Sequence, residues 1–434
     1  MTALTKAAPH RRGACPGLSA PMPTGDGLLV RLRPIGTVWL TAFKELCAAA
    51  RQYGNGVVEI TARGSIQARG LSAASAPHFA DAITSLGIAA EDGIPVIANA
   101  LAGLDPAELI DAGALAADLR RALGRTSLAG RLAPKVSVAI DGGGALDLHT
   151  LSADVRLRAE LINGAVALRV SIGGDGANAT PLGTIIPSDC TEAVLRLLEV
   201  IAKRGRDARA RDVLAAEEIG SFRQVLSSCP ALCRASTSSN SSELKDVDGR
   251  DKPGHDGNAI GTYHLLDGSH ACGIGLAFGH AEAVTLGRLA DAAEADGAHG
   301  VRIAPGRALI AIGLTQESAN NFAAAAECLG FIVRSDDPRR RVIACAGAPI
   351  CASALMASRA MAPRLASIAT PFDIHISGCA KGCARPRSAA MTVVGTPDGC
   401  ALVANGTARD APFAVVSPED VPAAIARYAE AGHV

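Results

Sequence analysis

Neither sign of charge is in excess in this chain. It carries 42 basic and 42 acidic residues in a length of 434, so the formal net charge is zero. Without a basic surplus there is no electrostatic case for nucleic acid or for an anionic membrane as partner. Any anion site has to be a local cluster. Long apolar runs are also missing, and none approaches the length of a membrane span. The opening stretch "MTALTKAAPHRRGACPG" has basic residues with no apolar region behind them, which argues against a secretory signal. No G-x-G-x-x-G opens a helix, so neither a flavin nor a nicotinamide fold is expected. The expectation is a cytoplasmic chain, in which the sequon at Asn178-Ala179-Thr180 would go unused.

What the chain does have is apolar content and cysteine. Hydrophobic residues make up 49%, ample for packed cores, and the length suits two or three domains. Twelve cysteines without a secretory signal favour reduced thiols, and so metal, cluster or buried cysteine over a disulfide framework.

An internal repeat organises the chain. "LLVRLRP" (28–34) alternates as a strand, and "VWLTAFKELCAAARQYG" (38–54) has Phe43, Leu46, Cys47, Ala50 and Tyr53 at helical spacing before Gly54-Asn55-Gly56 stops it. "VVEITARGSIQARGL" (57–71) reads as two strands across a turn near Arg63-Gly64, and "PHFADAITSLGI" (77–88) as a second helix. The same order returns in "GIGLAF" (273–278), "AEAVTLGRLADAAEAD" (281–296), "VRIAPGRALIAIGL" (301–314) and "ESANNFAAAAECLGF" (317–331). Ile60 falls over Ile303, and Gly70-Leu71 over Gly313-Leu314, at one constant offset. "VIANALAGLDP" (96–106) lies over "VIACAGAPICA" (342–352), and "KVSVAIDGGG" (135–144) has the shape of "FDIHISGCAKG" (372–382). Asn99 then sits opposite Cys345 and Asp105 opposite Cys351, so only the second copy carries cysteines there. The expected fold class is α+β, a tandem pseudo-twofold repeat. Its parts are a half-domain over 20–90 with an α/β lobe over 91–224, and a half-domain over 263–335 with a lobe over 336–434. Between them, 225–262 is polar and Gly/Ser-rich, and reads as a linker or insertion without regular structure.

Cys345 and Cys351 are spaced C-x5-C, and Cys379 and Cys383 in "HISGCAKGCARP" are spaced C-x3-C. Four thiolates in two loops could serve a cluster or a zinc ion. Structural zinc favours tighter knuckles, and the five-residue gap sits more comfortably around an iron–sulfur cube. Inert buried thiols are the bland reading of any one of them. Ala346, Ala348 and the glycines let backbone N–H groups approach sulfur, and Lys381, Arg385 and Arg387 would offset cluster charge. Cys229 and Cys233 repeat the C-x3-C spacing but abut the insertion and have no partner pair. Cys15, Cys47, Cys190, Cys272, Cys328 and Cys400 are isolated; most are expected to be buried, Cys47 and Cys328 on apolar helix faces. Parity along "RGSIQAR" puts Arg63, Ser65, Gln67 and Arg69 on one face of a regular strand, Arg307 occupies nearly the same turn in the second copy, and Lys135 opens a strand. "SIGGDGAN" (171–178) and "DGGG" (141–144) read as hairpin turns. His375 and Asp373 share a strand face and are the ligand types an oxygen-activating iron often uses, but two residues are not a facial triad; a hydrogen-bonded structural histidine is the expected role of His375.

C-x5-C followed by C-x3-C in the second of two repeats resembles the sulfite and nitrite reductase family. The likeness is carried also by "RRGACPGLSAPMPTGDGLLVRL" (11–32), "ARGSIQARGL" (62–71), "LAGLDP" (101–106) and "AIDGGG" (139–144), and covers nearly all the chain apart from the insertion. The resemblance implies ferredoxin-like half-domains and lobes that hold a [4Fe–4S] cluster and a tetrapyrrole. Within the family the residues look most like a branch of aerobic cobalamin biosynthesis, which uses O2 to hydroxylate its tetrapyrrole substrate at C20 and closes an acetate into a γ-lactone. For that branch the resemblance implies a mononuclear non-haem iron as well. It also implies an external electron donor, a NADH-linked reductase or a ferredoxin. It carries a catalytic role onto Arg63 and Lys135, and binding of tetrapyrrole carboxylates onto Arg63, Gln67, Arg69, Lys135, Arg307 and Lys381. Arginine suits this because it grips carboxylates bidentately. Two departures stand out. The reductases have a second lysine where this chain has Ser137, and an arginine near the start of the loop over 94–100, which here reads "IPVIANA". Losing two cations would weaken reduction of a small oxyanion but is tolerable when the tetrapyrrole is itself the substrate. The alternatives are a siroheme-dependent sulfite or nitrite reductase, and a non-catalytic cluster or tetrapyrrole carrier.

Overall fold

The computed structural model describes residues 16–215, 219–227, 259–368, 370–385 and 387–432. Cys15, Cys229, Cys233 and most of the insertion lie outside them. The first copy opens with β1 (Met22–Thr24), β2 (Gly27–Leu32), β3 (Val38–Trp39), α1 (Leu40–Tyr53), β4 (Val57–Ile60), β5 (Ile66–Leu71) and α2 (Ser75–Ser85). Its lobe holds β6 (Val96–Ala98), α3 (Ala112–Leu123), α4 (Leu128–Arg131), β7 (Val138–Asp141), β8 (Ala153–Ile162), β9 (Ala165–Gly174), β10 (Thr180–Ile185), α5 (Cys190–Lys203), α6 (Ala210–Ala215) and α7 (Ile219–Ser227). The second copy repeats the plan with β11 (Gly261–His264), β12 (His270–Gly275), β13 (His280–Glu282), α8 (Ala283–Ala295), β14 (Gly300–Ala304), β15 (Ala308–Leu314) and α9 (Gln316–Cys328). Its lobe has β16 (Val342–Ala344), α10 (Ser358–Ala366), β17 (Ile374–Ser377), β18 (Ala389–Thr396), β19 (Gly399–Gly406), β20 (Ala414–Val416) and α11 (Val421–Glu430).

These strands form four five-stranded sheets, two per copy, in a mixed α/β architecture. The two half-domain sheets trade an edge strand. β13 of the second copy pairs with β4 of the first, Ala281 opposite Val58. β3 of the first copy pairs with β14 of the second, Val38 opposite Val301. Val38 and Ala281 are equivalent under the repeat offset, as are Val58 and Val301, so the exchange obeys a pseudo-twofold axis. The turns between the paired strands also meet, Gly306 N–H donating to Ala62 O at 3.0 Å. One apolar core spans both halves, with Phe43 and Leu46 of α1 beside Leu286 and Leu289 of α8. Small residues such as Ala49, Ala50, Ala290 and Ala293 are buried on the same two helices, which lets them approach closely.

The other faces of the sheets differ. The outer face of the second-copy sheet is mostly apolar: Ala271, Ile310 and Ile312 pack on Leu101 and Leu146 of the first lobe, while Arg302, opposite Ile310, donates to Ala100 O at 3.1 Å and Ala102 O at 2.8 Å there. The first-copy sheet presents Arg31, Glu59 and Gln67 in cross-strand register. Arg69 follows on the same face, and these side chains meet the second lobe through Arg359 and Ile350. Each half-domain therefore packs on the other copy's lobe.

Several elements depart from the sequence reading. The strand expected at 273–278 runs three residues earlier, because Phe278 turns through a left-handed conformation (φ 58°). "SIGGDGAN" does join antiparallel neighbours. "DGGG" does not: β7 and β8 are parallel, so the glycines begin a crossover instead of a hairpin. Lys135 lies in a turn before β7 and does not open the strand. β11 begins inside the stretch read as insertion. Cys47, Cys190, Cys272 and Cys400 are buried, but Cys328, at the end of α9, is exposed. Among the described residues no helix is long and apolar enough to cross a membrane.

Truncating either of the equivalent core residues Leu46 and Leu289 to alanine should cost about 2–5 kcal/mol. Because the two face one shared core, the double variant should depart from additivity. Urea unfolding of the three variants checks both statements.

Candidate functional site

The four cysteines come together at the C-terminal ends of β16 and β17. These strands are parallel neighbours, so both loops leave the sheet on the same side. Cys345 is tied to β17 by its own N–H, which donates to Ile376 O at 3.1 Å. Its sulfur accepts from the Gly378 N–H at 3.1 Å and lies 3.4 Å from Ser358 Oγ. A Cβ on Gly378 would stand 2.6 Å from the Ala354 Cβ, so only glycine lets these loops close on one another. Cys351 N–H donates to Gly347 O at 2.7 Å, and Ser377 Oγ donates to Cys379 O at 2.7 Å. Burial, and after it the sulfurs of Cys379, Cys345 and Cys351, push the Cys383 thiol above its ordinary pKa. The sulfurs thus feel each other. Among the described residues no three ligand side chains converge as a single ion requires. A lone zinc with sulfur at about 2.3 Å needs such convergence. A cube that offers one iron to each thiolate does not, and the N–H directed at Cys345 is the kind of donor a thiolate-bound cluster takes. The residues fit a [4Fe–4S] group.

The first lobe shows the same backbone with other side chains. Gly142 N–H, equivalent to that of Gly378, donates at 2.7 Å to the Oδ1 of Asn99, which stands where Cys345 does. Asp105, in the place of Cys351, accepts from Ala145 N–H and, at 2.9 Å, from Ala107 N–H. Carboxylate and amide oxygens close this loop internally, where its counterpart offers sulfur.

The cations named from the sequence do not form one group. Arg63 reaches the first lobe, donating to Ser137 Oγ at 3.1 Å and Ser152 O at 2.8 Å. Ser137, at 0% exposure, thus holds an arginine where the resemblance implies a lysine. Lys135 is exposed two residues away. Gln67 and Arg69 are buried on the side of the second lobe. Gln67 donates to Glu59 at 2.9 Å and accepts from Arg31 at 3.0 Å. Arg69 is paired with Asp26 at 3.0 Å and lies 3.5 Å from Glu59. Both are engaged by protein groups rather than presented to a ligand. Lys381 donates to Ser353 at 2.8 Å across the mouth of the cysteine loops. Arg307 holds a left-handed backbone (φ 67°) and is half-buried near Arg385 and Glu59. Burial, then the Arg385 charge, lowers its pKa. No acceptor meets its guanidinium among the described residues.

His375 departs from expectation. Its imidazole is wholly buried, and neither ring nitrogen has a partner. Burial, then Arg385 and Arg307, lower its pKa to about 4. Asp373 does not join it: its carboxylate is half exposed and paired with Arg385 at 2.9 Å. The pair considered for a mononuclear iron is therefore split, and the residues do not fit that metal. Arg31, Glu59 and Arg359 escaped the sequence reading. Their signal was present in the overlay, where polar Gln67 and Arg69 stand opposite Ile310 and Ile312.

Two tandem half-domains that exchange edge strands, each with an α/β lobe and with cysteines in the second alone, define a protein of the sulfite and nitrite reductase class. Residues 20–86 match the nitrite/sulfite reductase ferredoxin-like half domain. The solved structure of the Mycobacterium tuberculosis NirA protein shares the fold with a TM-score of 0.72 at 19% identity, over 92% of this chain and 80% of that one. A ferredoxin–nitrite reductase of Synechococcus elongatus is 26% identical over 86% of this chain and 77% of its own. A precorrin-3B synthase of Sinorhizobium sp. is 40% identical over 96% of this chain and 88% of its own. The chain belongs to the precorrin-3B synthase family, within the sulfite and nitrite reductases.

A pH test addresses His375. Between its ordinary value of 6.5 and about 4, the unfolded chain binds a proton that the folded chain refuses. Stability from this group is therefore lost as pH falls through that window, by about 3 kcal/mol in total. Replacing His375 with leucine should flatten the drop in urea midpoint from pH 7 to pH 4.5. An unchanged slope would show the imidazole is not held neutral.

Proposed function

We propose that this chain is an oxygen-dependent precorrin-3B synthase acting on precorrin-3A in aerobic cobalamin biosynthesis. The observation that carries this reading is the 40% identity, across 96% of the chain, to a protein of that name. The site agrees with it. Ser137 is buried and binds Arg63, so the cation that a small oxyanion would need at this position is missing. A large polyanionic macrocycle needs cations spread over a wide surface instead. Arg63 with Lys135 on the first lobe and Arg307 on the other side of the axis supply that spread. Arg307, with no acceptor among the described residues, would take a carboxylate at its fork. Lys381 stands at the rim of the cysteine loops. Gln67 and Arg69 lie on the polar face toward the second lobe, engaged by Glu59, Arg31 and Asp26.

In the reaction, one atom of O2 enters the macrocycle at C20 as hydroxyl and the other leaves as water. This takes two electrons and two protons from outside the substrate; an acetate oxygen adds across a macrocycle double bond, which is lost, and closes the γ-lactone without a leaving group. A [4Fe–4S] cluster on Cys345, Cys351, Cys379 and Cys383 supplies one-electron transfer when bound. The donor is external, a NADH-linked reductase or a ferredoxin. The enzyme is read as cytoplasmic, with no nucleic acid or membrane partner.

Anaerobically purified protein should show a broad shoulder in its ultraviolet–visible spectrum, about four irons with matching sulfide, and no sharp siroheme bands. Supplied with precorrin-3A, O2 and a donor, it should form the hydroxylated lactone. Changing Cys379 or Cys383 to serine should remove most of the iron and the turnover. Siroheme bands would assign a sulfite or nitrite reductase instead, and iron and sulfide without turnover would leave a carrier. Stoichiometric NADH oxidation by the chain alone would refute the external donor.

A further inference from the structure

We propose that the β1–β2 hairpin tip of the first copy, backed by Arg69 and Glu59, is a clamp that positions the Cys345–Cys351 loop of the second lobe. The proposal rests on reading those cysteines as cluster ligands. The first-copy half-domain's Cys47 is buried in the core, yet the half-domain touches the loop beside Cys351 and the helix start beside Cys345.

At one end, the Gly25 N–H donates to Ile350 O at 2.8 Å, one residue before Cys351. Arg69 Nη2 reaches the same carbonyl at 3.5 Å. Arg69 cannot swing away, because Asp26 holds it by two bonds, Nε–Oδ2 at 3.2 Å and Nη2–Oδ1 at 3.0 Å. Asp26 is held in turn by Thr24 Oγ1 at 2.8 Å and Asn55 Nδ2 at 3.0 Å. At the other end, Glu59 accepts from Arg359, the residue after Ser358, whose hydroxyl abuts the Cys345 sulfur. Arg69 lies 3.5 Å from Glu59, which also accepts from Gln67 at 2.9 Å, so the two ends share one buried network.

Two observations set this apart from ordinary domain packing. The backbone bond recurs in the other copy, where Leu266 N–H donates to Leu104 O at 2.9 Å, but among the described residues the Arg69–Asp26 and Arg359–Glu59 ion pairs behind it stand only on the cysteine side. The equivalents of Gln67 and Arg69 are Ile310 and Ile312, which pack against apolar residues of the cysteine-free lobe. The fit is also without slack: a Cβ on Gly25 would stand 2.4 Å from Pro349 O and 2.9 Å from Ile350 O. Groups that orient metal ligands in this way tune both the affinity for the metal and the potential. Gly25, Asp26, Glu59 and Arg69 are in this sense positioning residues.

The test uses the full chain, purified anaerobically with its iron and sulfide. Gly25→Ala pushes on the loop from an exposed turn without altering charge, and Arg69→Gln unties Asp26 from Ile350. Asp154→Asn is the control: it breaks a buried pair with Arg209 (2.7 Å) in the first lobe, far from the cysteines in the chain. Both clamp variants should lose iron to a chelator about 10-fold faster than wild type. They should also shift the midpoint potential and the electron paramagnetic resonance lines of the reduced cluster. The control should lower the urea midpoint and move neither. Folded Gly25→Ala with wild-type iron retention, potential and spectrum would overturn the clamp, whether or not Arg69→Gln folds. A wild-type chain without iron and sulfide would overturn the cluster reading, and the clamp with it.

Discussion

The exchange of edge strands between the two copies is the constraint on which the rest of the molecule depends. Val38 pairs with Val301 and Ala281 with Val58, so neither half-domain sheet is complete without two or three residues of the other. The exchange places α1 against α8 and merges both helical layers into one core. It also fixes which face of each sheet is left over, and sends that face to the opposite copy's lobe. A loop in the second lobe is thereby brought beside the hairpin of the first half-domain, more than three hundred residues earlier in the chain.

A duplicated backbone has been filled in two chemically different ways. On one side of the axis, isoleucines and leucines close the sheet–lobe contact, and Asn99 and Asp105 tie their loop with oxygen acceptors. On the other side the same strand positions carry glutamine and arginine, and the same loop positions carry cysteine. The Gly142 and Gly378 amides show how small the change is, since one N–H points at an amide oxygen and the other at a sulfur. Apolar burial, with Arg302 bonded to the carbonyls of Ala100 and Ala102, secures the first interface. The second holds charges that remain buried only because they are paired.

The unsatisfied groups mark where the molecule has been left open. His375 has neither nitrogen bonded, and Arg307 has no acceptor among the described residues; both feel the charge of Arg385. Arg63 shows the opposite outcome, since Ser137 and Ser152 take its guanidinium and hold it to the first lobe. Cation count along the sequence therefore overstated the group that acts together. Arg69 and Gln67 have the right residue types and the right face, but their hydrogen bonds are spent on Asp26, Glu59 and Arg31.

The sequence by itself determined the tandem repeat, the order of helices and strands, and the spacing of four cysteines in one copy. These are local or periodic properties: alternation, helical spacing, glycine stops and a constant offset survive in a linear string. It could also have shown the asymmetry at Gln67 and Arg69, had the overlay been read for differences as well as matches. Only the tertiary structure decided that the copies swap edge strands, that "DGGG" starts a parallel crossover, and that His375 is buried without a partner while Asp373 faces solvent. It alone showed Arg63 turned toward one lobe and Arg69 toward the other. Those outcomes depend on which face meets which partner across the pseudo-twofold axis. No property of residues adjacent in the chain carries that information.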